Sequence, residues 1–205
     1  MKTRILTIVA IAALTLGLSS TTFAATTNGP AATSNEVSTL LTDISNISKI
    51  EVHGNVELYV SDGASDQVKV YNHYYAESAL VQNRNGVLRI SSYSDQKLVV
   101  WITANDLRSI SVYDNAEVKS FGKLSAIELN VDLHNNASAK LNLDAFSANV
   151  TVADHAKADL SGSTEEFSLN HATSTSVNQY SLETAHYTEN KNIAVGTADM
   201  DLAGL

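Results

Sequence analysis

The sequence predicts an all-β fold, a right-handed parallel β-solenoid of stacked short strands, with a β-sandwich as the alternative. Apolar and polar residues alternate in short runs such as "NVELYV" at 55–60 and "LVVWI" at 98–102. This period of two places successive side chains on opposite faces of a strand. Turn-forming residues separate the runs, as in "NRNG" at 83–86. Beyond the N-terminal segment, no stretch has the 3.6-residue period of a long amphipathic helix.

The N-terminal segment 1–24 has the three regions of a secretory signal peptide. Lys2 and Arg4 are followed by the apolar run "ILTIVAIAALTLGL" at 5–18 and then by "SSTTFA", with cleavage expected near Ala24. The apolar run is shorter than the ~20 residues that a membrane span needs. A bacterial lipid anchor would need a cysteine, and the chain has none. We therefore expect an exported protein, periplasmic or extracellular, that is not a lipoprotein and has no membrane span in its mature chain.

The mature chain is expected to consist of a flexible polar leader over 25–39 and a single domain over 40–205. The leader is small and polar and contains the only proline, Pro30. The whole sequence has a formal net charge of −9, and removal of 1–24 makes it more acidic still. An acidic surface repels phosphate backbones and anionic lipid, so nucleic acid and membrane surfaces are not expected partners.

The second half of the chain, best seen over 107–180, contains a repeat of roughly 20 residues. The pieces "SVYDNAEVKSF", "DLHNNASAKLNL", "TVADHAKADL" and "SLNHATSTSV" share an alanine after a polar corner. One such rung of two short strands cannot bury its apolar side alone, so rungs stack. We expect an inward-facing column of alanines at a narrow corner, formed by Ala116, Ala137, Ala156 and Ala172.

The polar residues before these alanines predict two further columns. Asn and Asp tolerate left-handed backbone conformation in turns, and stacked Asn side chains bond to each other. We expect a structural ladder; the alternative is a divalent metal or pH-sensitive site that uses Asp154, His155 and His171. One column is predicted to hold Asp114, Asn135, Asp154 and Asn170, and the next to hold Asn115, Asn136, His155 and His171.

The sequence contains none of the common enzyme motifs. It lacks Gly-x-Ser-x-Gly, His-Glu-x-x-His and a phosphate-binding glycine loop. A hydrolase of neutral sugars needs two carboxylates that converge at about 5–10 Å, and the spacing selects no pair among Asp132, Asp154 and Asp159. We therefore predict a protein without catalytic residues, cofactor or resident metal.

Aromatic residues on the polar phase of the N-terminal strands predict a surface feature. Outward aromatic side chains can form a contact patch for carbohydrate or protein. The interpretation that we favour is that they pack beneath an additional strand or against the leader. The residues concerned are Tyr59, Tyr71, Tyr74, Tyr75, Tyr93 and Trp101.

The order of these motifs resembles the bacterial family called putative auto-transporter adhesin, head GIN domain. The likeness runs over roughly residues 40–185 and is carried by "ISKIEVHGNVELYV" at 47–60, "DQVKV" at 66–70, "NGVLRI" at 85–90 and "LVVWITANDLRSISVYDNAEV" at 98–118. The family usually has Gly and Ser at the repeat corners, where this chain has Asp, Asn and His. The resemblance implies an exported, β-solenoid-like domain and supplies no catalytic residues.

The predicted function is that of a non-catalytic, exported envelope protein, an adhesin-like binding module for carbohydrate or for an envelope or cell-surface protein. One alternative is a β-helix enzyme that acts on polysaccharide. A second alternative is a metal-handling periplasmic protein. The sequence does not select among ligands or oligomeric states.

Overall fold

The computed structural model describes residues 38–41, 44–71, 79–172 and 176–191. The predicted signal peptide, and the predicted leader up to residue 37, lie outside the described residues. The all-β prediction is confirmed, because the described residues form thirteen strands in one hydrogen-bonded sheet and no helix. The strands are β1 Ser38–Leu41, β2 Lys49–Gly54, β3 Val56–Asp62, β4 Gln67–Tyr71, β5 Ala79–Arg84, β6 Val87–Ser92, β7 Leu98–Ala104, β8 Ser109–Val112, β9 Glu117–Ser120, β10 Leu124–Leu133, β11 Ser138–Val152, β12 Lys157–His171 and β13 Val177–Asn190. Strand β1 thus begins within the stretch 25–39 that was predicted to be leader.

The sheet is mixed, with parallel pairs through most of its length. Parallel pairs join β2 to β6 and β8, β3 to β7 and β9, and β10 to β8 and β11. Parallel pairs also join β11 to β12 and β12 to β13. The antiparallel pairs are β1 with β4, β4 with β7, and β5 with β6. The turn between β5 and β6 has positive φ at Asn85 and Gly86, as the turn-forming "NRNG" predicts.

The long strand β11 connects two rows of shorter strands. Its first residues, Ser138–Lys140, pair with β9, whereas Leu143–Val152 pair with β10. One row therefore consists of the neighbouring strands β4, β7, β3 and β9 and the first parts of β11 and β12. The other row consists of the neighbouring strands β6, β2, β8 and β10 and the last parts of β11 and β12. Each row has its own outward surface.

The core lies on the inward side of both rows. Alternating residues such as Val56, Leu58 and Val60 are fully buried, and the residues between them point outward. This alternation confirms the period-two prediction and follows from the strand geometry itself. The column of Ala116, Ala137 and Ala156 is also fully buried, and backbone bonds run from Ser138 N to Ala116 O and from Lys157 N to Ala137 O.

The prediction that Ala172 continues this column is wrong. His171 lies opposite Val152, and Ala172 N donates to Val152 O over 3.3 Å. The fourth piece is therefore displaced by three positions, because Ala172 occupies the place of Ala153 and not that of Ala156. The cause is the pairing of Leu169 with Val150, which keeps both side chains buried. If Ala172 were stacked on Ala156 in the column, the side chain of Leu169 would point outward.

Candidate functional site

The corners between the rows use left-handed backbone conformation at one residue per rung. The φ angles are 62° at Asp114, 59° at Asn135 and 58° at Asp154. Asn and Asp adopt this conformation more readily than other residues with a side chain. Each corner is closed by a backbone bond from its alanine, such as Ala137 N to His134 O over 3.1 Å.

The side chains at these left-handed positions bond to the backbone of the preceding rung. Asp154 Oδ2 accepts the N–H of Asn135 at 2.8 Å, and Asn135 Oδ1 accepts the N–H of Asp114 at 3.1 Å. Asp114 Oδ2 accepts the N–H of Gly54 at 3.0 Å. The predicted ladder is thus formed by Asp114, Asn135 and Asp154, whereas the prediction that Asn170 continues it is wrong, because Asn170 lies opposite Thr151 on the strand. The contact with Gly54, with φ of 81°, shows that the ladder starts one rung earlier than the sequence suggested.

The missed rung lies in "HGNV" at 53–56. It has a left-handed glycine where the later rungs have Asp or Asn, and Val56 where they have alanine. The sequence signal was present, since an apolar residue follows a turn-forming pair at the same spacing. An additional aromatic stack accompanies these corners: Tyr113 lies between His53 and His134, with ring centroids 4.5 Å and 5.0 Å apart.

The predicted column that joined His155 to His171 does not exist, because the two residues occupy different positions of the rung. His155 is an exposed corner residue whose N–H donates to Asn135 O. His171 is 1% exposed and its Nε2 lies 2.8 Å from Glu189 Oε1 of β13. The hydrogen bond from His171 is the main reason that the pKa of Glu189 lies below its ordinary value. Asp154 is engaged in the corner ladder, so the three residues named as a metal alternative are not brought together.

Within the described ranges, no group of three or more His, Cys, Asp or Glu side chains is arranged to hold a metal ion. The carboxylates considered for hydrolysis also diverge. Asp132 points outward from β10, Asp154 lies at the corner, and Asp159 points outward from β12 on the other row.

An aromatic cluster lies on the outward side of β3, β7 and β9. The rings of Tyr59 and Trp101 stack with centroids 4.6 Å apart and planes at 19°. Phe121, directly after β9, contacts Trp101 at 5.4 Å and remains 64% exposed. Register explains the cluster, because Tyr59 lies opposite Trp101 in the parallel pair of β3 and β7.

Tyr71 and Tyr93, also named from the sequence, are not part of the Tyr59–Trp101 stack. Tyr71 lies on β4, where Lys69 Nζ is 4.7 Å from its ring centroid. Tyr93 is 75% exposed and lies at the corner, with its hydroxyl 3.4 Å from Asp114 Oδ2. Tyr74 and Tyr75 lie outside the described residues.

An ion-pair network borders the aromatic cluster. Lys119 Nζ lies 2.9 Å from Glu57 Oε1 and 3.0 Å from Glu117 Oε1, and Lys97 approaches the same two carboxylates at 3.9 Å and 3.5 Å. The Tyr59 hydroxyl donates to Glu57 over 2.7 Å. Bonds from Lys119, and then from Tyr59, hold the pKa of Glu57 below its ordinary value. The bond to Glu57, and then the bond to Glu117, raise the pKa of Lys119 above its ordinary value.

We call this outward surface of β4, β7, β3, β9 and the first parts of β11 and β12 the lysine–aromatic face. Sequence reasoning missed its lysines because they are scattered along the chain and come together only through strand register. Lys69 lies opposite Trp101, Lys119 opposite Tyr59, and Lys140 opposite Lys119. The lysines of the face are Lys69, Lys97, Lys119, Lys140 and Lys157, and its carboxylates are Glu57, Glu117 and Asp159.

A polar cleft of about 380 Å³ lies elsewhere, beside the start of β2. Asp66 in its wall accepts N–H groups from Ile47 at 2.8 Å and Asn105 at 2.9 Å. Arg108 is paired with Asp106 at 2.6 Å. These charged groups connect loops of the protein, and the cleft is best explained as part of the fold.

The family described as putative auto-transporter adhesin, head GIN domain, matches residues 46–202. The chain belongs to this family. No curated protein matches the chain. All residues of the lysine–aromatic face lie within the matched range, so this surface is part of the head GIN domain itself.

Solved structures share the fold at low sequence identity. A putative adhesin from Parabacteroides merdae matches with a TM-score of 0.58 and 13% identity, over 75% of this chain and 76% of that chain. A putative adhesin from Parabacteroides distasonis matches with a TM-score of 0.56 and 13% identity, over the same shares. A putative lipid binding protein from Parabacteroides distasonis matches with a TM-score of 0.53 and 8% identity, over 76% and 78%. Among the described residues, no helix is long and apolar enough to cross a membrane.

Proposed function

We propose that this head GIN domain is an exported, non-catalytic binding module that contacts carbohydrate or an envelope protein through its lysine–aromatic face. The observation that carries the proposal is the contiguous cluster of Tyr59, Trp101 and Phe121 on the outward side of the sheet. Exposed apolar patches rimmed by polar residues are typical of interaction sites. The ion pairs of Glu57 and Lys119 supply such a rim.

The chemistry of the cluster suits recognition. Tyrosine and tryptophan provide large contact areas with few rotatable bonds, and they dominate the binding energy of many interfaces. Phe121 is largely exposed to solvent and its ring contacts that of Trp101. The description of the family as adhesin-like supports a role in contact with surface molecules.

Export forms part of the same proposal. The segment 1–24 is a signal peptide cleaved near Ala24, and the mature protein lies in the periplasm or outside the cell. It is not a lipoprotein, because the sequence offers no cysteine for lipid attachment.

The described rows are further proposed to form a right-handed parallel β-solenoid. Parallel pairs between β8, β10, β11 and β12 support this arrangement over a β-sandwich, because sandwich strands are joined mainly as antiparallel neighbours. Right-handed connection is the strong preference for parallel strands within one sheet. A crystal structure with left-handed connections would contradict the proposal.

The experiment compares two phenylalanines of similar exposure. Phe121 is 64% exposed in the cluster, and Phe146 is 57% exposed at the middle of β11. Binding of the exported protein to a glycan array and to immobilised envelope extract is measured for the Phe121→Ala and Phe146→Ala variants. We expect Phe121→Ala to weaken binding about tenfold, a loss typical of an interface anchor, and Phe146→Ala to leave it unchanged.

Thermal unfolding of both variants serves as the control. Neither phenylalanine is buried, so both melting temperatures should stay close to that of the wild type. Equal binding by Phe121→Ala and wild type to every bound material would contradict the lysine–aromatic face as the contact surface.

A further inference from the structure

The geometry points to an acidic polysaccharide as the ligand of the lysine–aromatic face. We propose that an extended glycan chain runs across the strands from Lys69 to Lys157, passes over the Trp101–Tyr59 pair, and is held by its acidic groups at the two lysines. This inference rests on the proposed function, because it names the ligand of the same surface.

Charge is distributed unequally over the surface of the protein. The chain carries a formal net charge of −9, yet the lysines of this face outnumber its carboxylates. Local charge of opposite sign to the rest of the molecule attracts and orients an anionic ligand. An acidic ligand would therefore be repelled by most of the surface and directed to this face.

Some lysines of this face are paired with carboxylates and others are not. Lys97 and Lys119 are held by Glu57 and Glu117, and Lys140 Nζ lies 3.5 Å from Asp159. Among the residues that the structure describes, no carboxylate lies within ion-pair distance of Lys69 or Lys157. These two ammonium groups are thus the ones available to an anion.

Lys69 and Lys157 lie far apart across the sheet. Lys69 is on β4 and Lys157 begins β12, and the sheet order between them is β4, β7, β3, β9, β11 and β12. Five strand spacings of about 4.8 Å correspond to ~24 Å. The aromatic rings of β7 and β3 lie inside this interval. A ligand that uses both lysines must therefore be extended and must cross the aromatic cluster.

The lysine–aromatic face suits an acidic glycan better than a nucleic acid. The C–H groups of a sugar ring are attracted to aromatic π-systems, whose ring faces are electron-rich. A single nucleic-acid strand carries a charge about every 3.4 Å, a density that two ammonium groups ~24 Å apart do not match. A polysaccharide in which neutral sugars alternate with acidic ones matches the surface better.

The experiment uses the full exported chain and hyaluronan, whose uronic acids alternate with neutral sugars. Isothermal titration is carried out with a hyaluronan decamer, its methyl-esterified form and a tetramer. The decamer should bind, and added salt should weaken its binding. The ester and the tetramer should each bind about tenfold more weakly, as expected for loss of a charged contact.

Variants place the binding on the face. The double variant Lys69→Gln, Lys157→Gln should weaken decamer binding about tenfold. The matched control Lys49→Gln, Arg89→Gln also removes two positive charges, but from β2 and β6 in the other row, and should bind like the wild type. Circular dichroism and melting temperature verify that all variants are folded.

Several outcomes would overturn the inference. These are equal affinity for the decamer and its ester, no loss in the Lys69→Gln, Lys157→Gln variant, no binding of hyaluronan, and tighter binding of single-stranded DNA of equal length. Each leaves the proposed function intact as long as Phe121→Ala still weakens binding to envelope material. Failure of that separate variant to have an effect would remove the proposed function itself.

Discussion

The side chains on the two outward surfaces of the sheet differ in the contacts they make. On β10, β11, β12 and β13, Asn149 Nδ2 donates to Asn130 Oδ1 over 3.1 Å, and Asn190 Nδ2 donates to Asn170 Oδ1 over 2.9 Å. We call this surface the small-polar face. Its amides bond to one another, whereas the lysine–aromatic face exposes the ring of Phe121. A surface whose polar groups satisfy each other strengthens the stack, and a surface with exposed rings and unpaired ammonium groups is better suited to a ligand.

The corners join the two faces, and a substitution there should have the largest effect on stability. Asn135 combines left-handed backbone conformation with an accepted bond from Asp114 N–H. Asn135→Ala should destabilise the fold by about 2–3 kcal/mol, because left-handed conformation costs roughly 1–2 kcal/mol for alanine and a lost hydrogen bond about 1 kcal/mol. Urea unfolding followed by circular dichroism measures the change.

The neighbouring Asn136→Ala is the matched control for the corner. Asn136 is not among the described residues with a positive φ angle. Its side-chain amide donates to Asn115 Oδ1 over 3.3 Å. Its substitution should cost less than ~1 kcal/mol. Equal losses for the two variants would show that left-handed conformation does not set the stability of the corner.

A second prediction compares the faces directly. Trp101→Ala removes the stack with Tyr59 and the contact with Phe121, at a cost of about 1–2 kcal/mol from lost aromatic pairing and burial. Asn149→Ala removes one ladder bond and should cost about 1 kcal/mol. The decisive readout is binding to envelope material, which Trp101→Ala should weaken and Asn149→Ala should leave unchanged. A loss of binding in Asn149→Ala alone would assign the contact surface to the small-polar face.

Much of the fold could be predicted from the sequence, because strand alternation is local. Leu58 and Val118 were identified as inward residues from period two, and both are fully buried and opposite each other. The corner alanines Ala116, Ala137 and Ala156 were likewise identified. The error at Ala172 arose because corner similarity was used to align a rung whose register is fixed by Leu169 on the strand.

The site was harder to predict because it depends on pairing between distant strands. Tyr59 and Trp101 could be identified as outward aromatics, but nothing local indicates that β3 lies beside β7. The lysines are still more scattered, and Lys69 joins them through an antiparallel strand that the repeat does not include. Charge clusters of this kind are a property of register and cannot be obtained from spacing along one strand.

The smallest expected effect concerns pH and the ion pairs of the lysine–aromatic face. The pKa of Glu57 is lowered below its ordinary value of 4.5 by bonds from Lys119 and Tyr59. A carboxyl with a lowered folded-state pKa stabilises the fold above its unfolded pKa and loses that contribution as pH falls through the folded value. The wild type should therefore lose stability below about pH 4.5, and Glu57→Gln should lose less over the same interval.

Urea unfolding at pH 7 and at progressively lower pH measures the difference, with the exposed Glu165→Gln as a control that should follow the wild type. Since partly exposed pairs are screened by solvent and salt, the difference should shrink in high salt. A difference that persists in high salt would mean that Glu57 acts through the Tyr59 hydroxyl more than through Lys119.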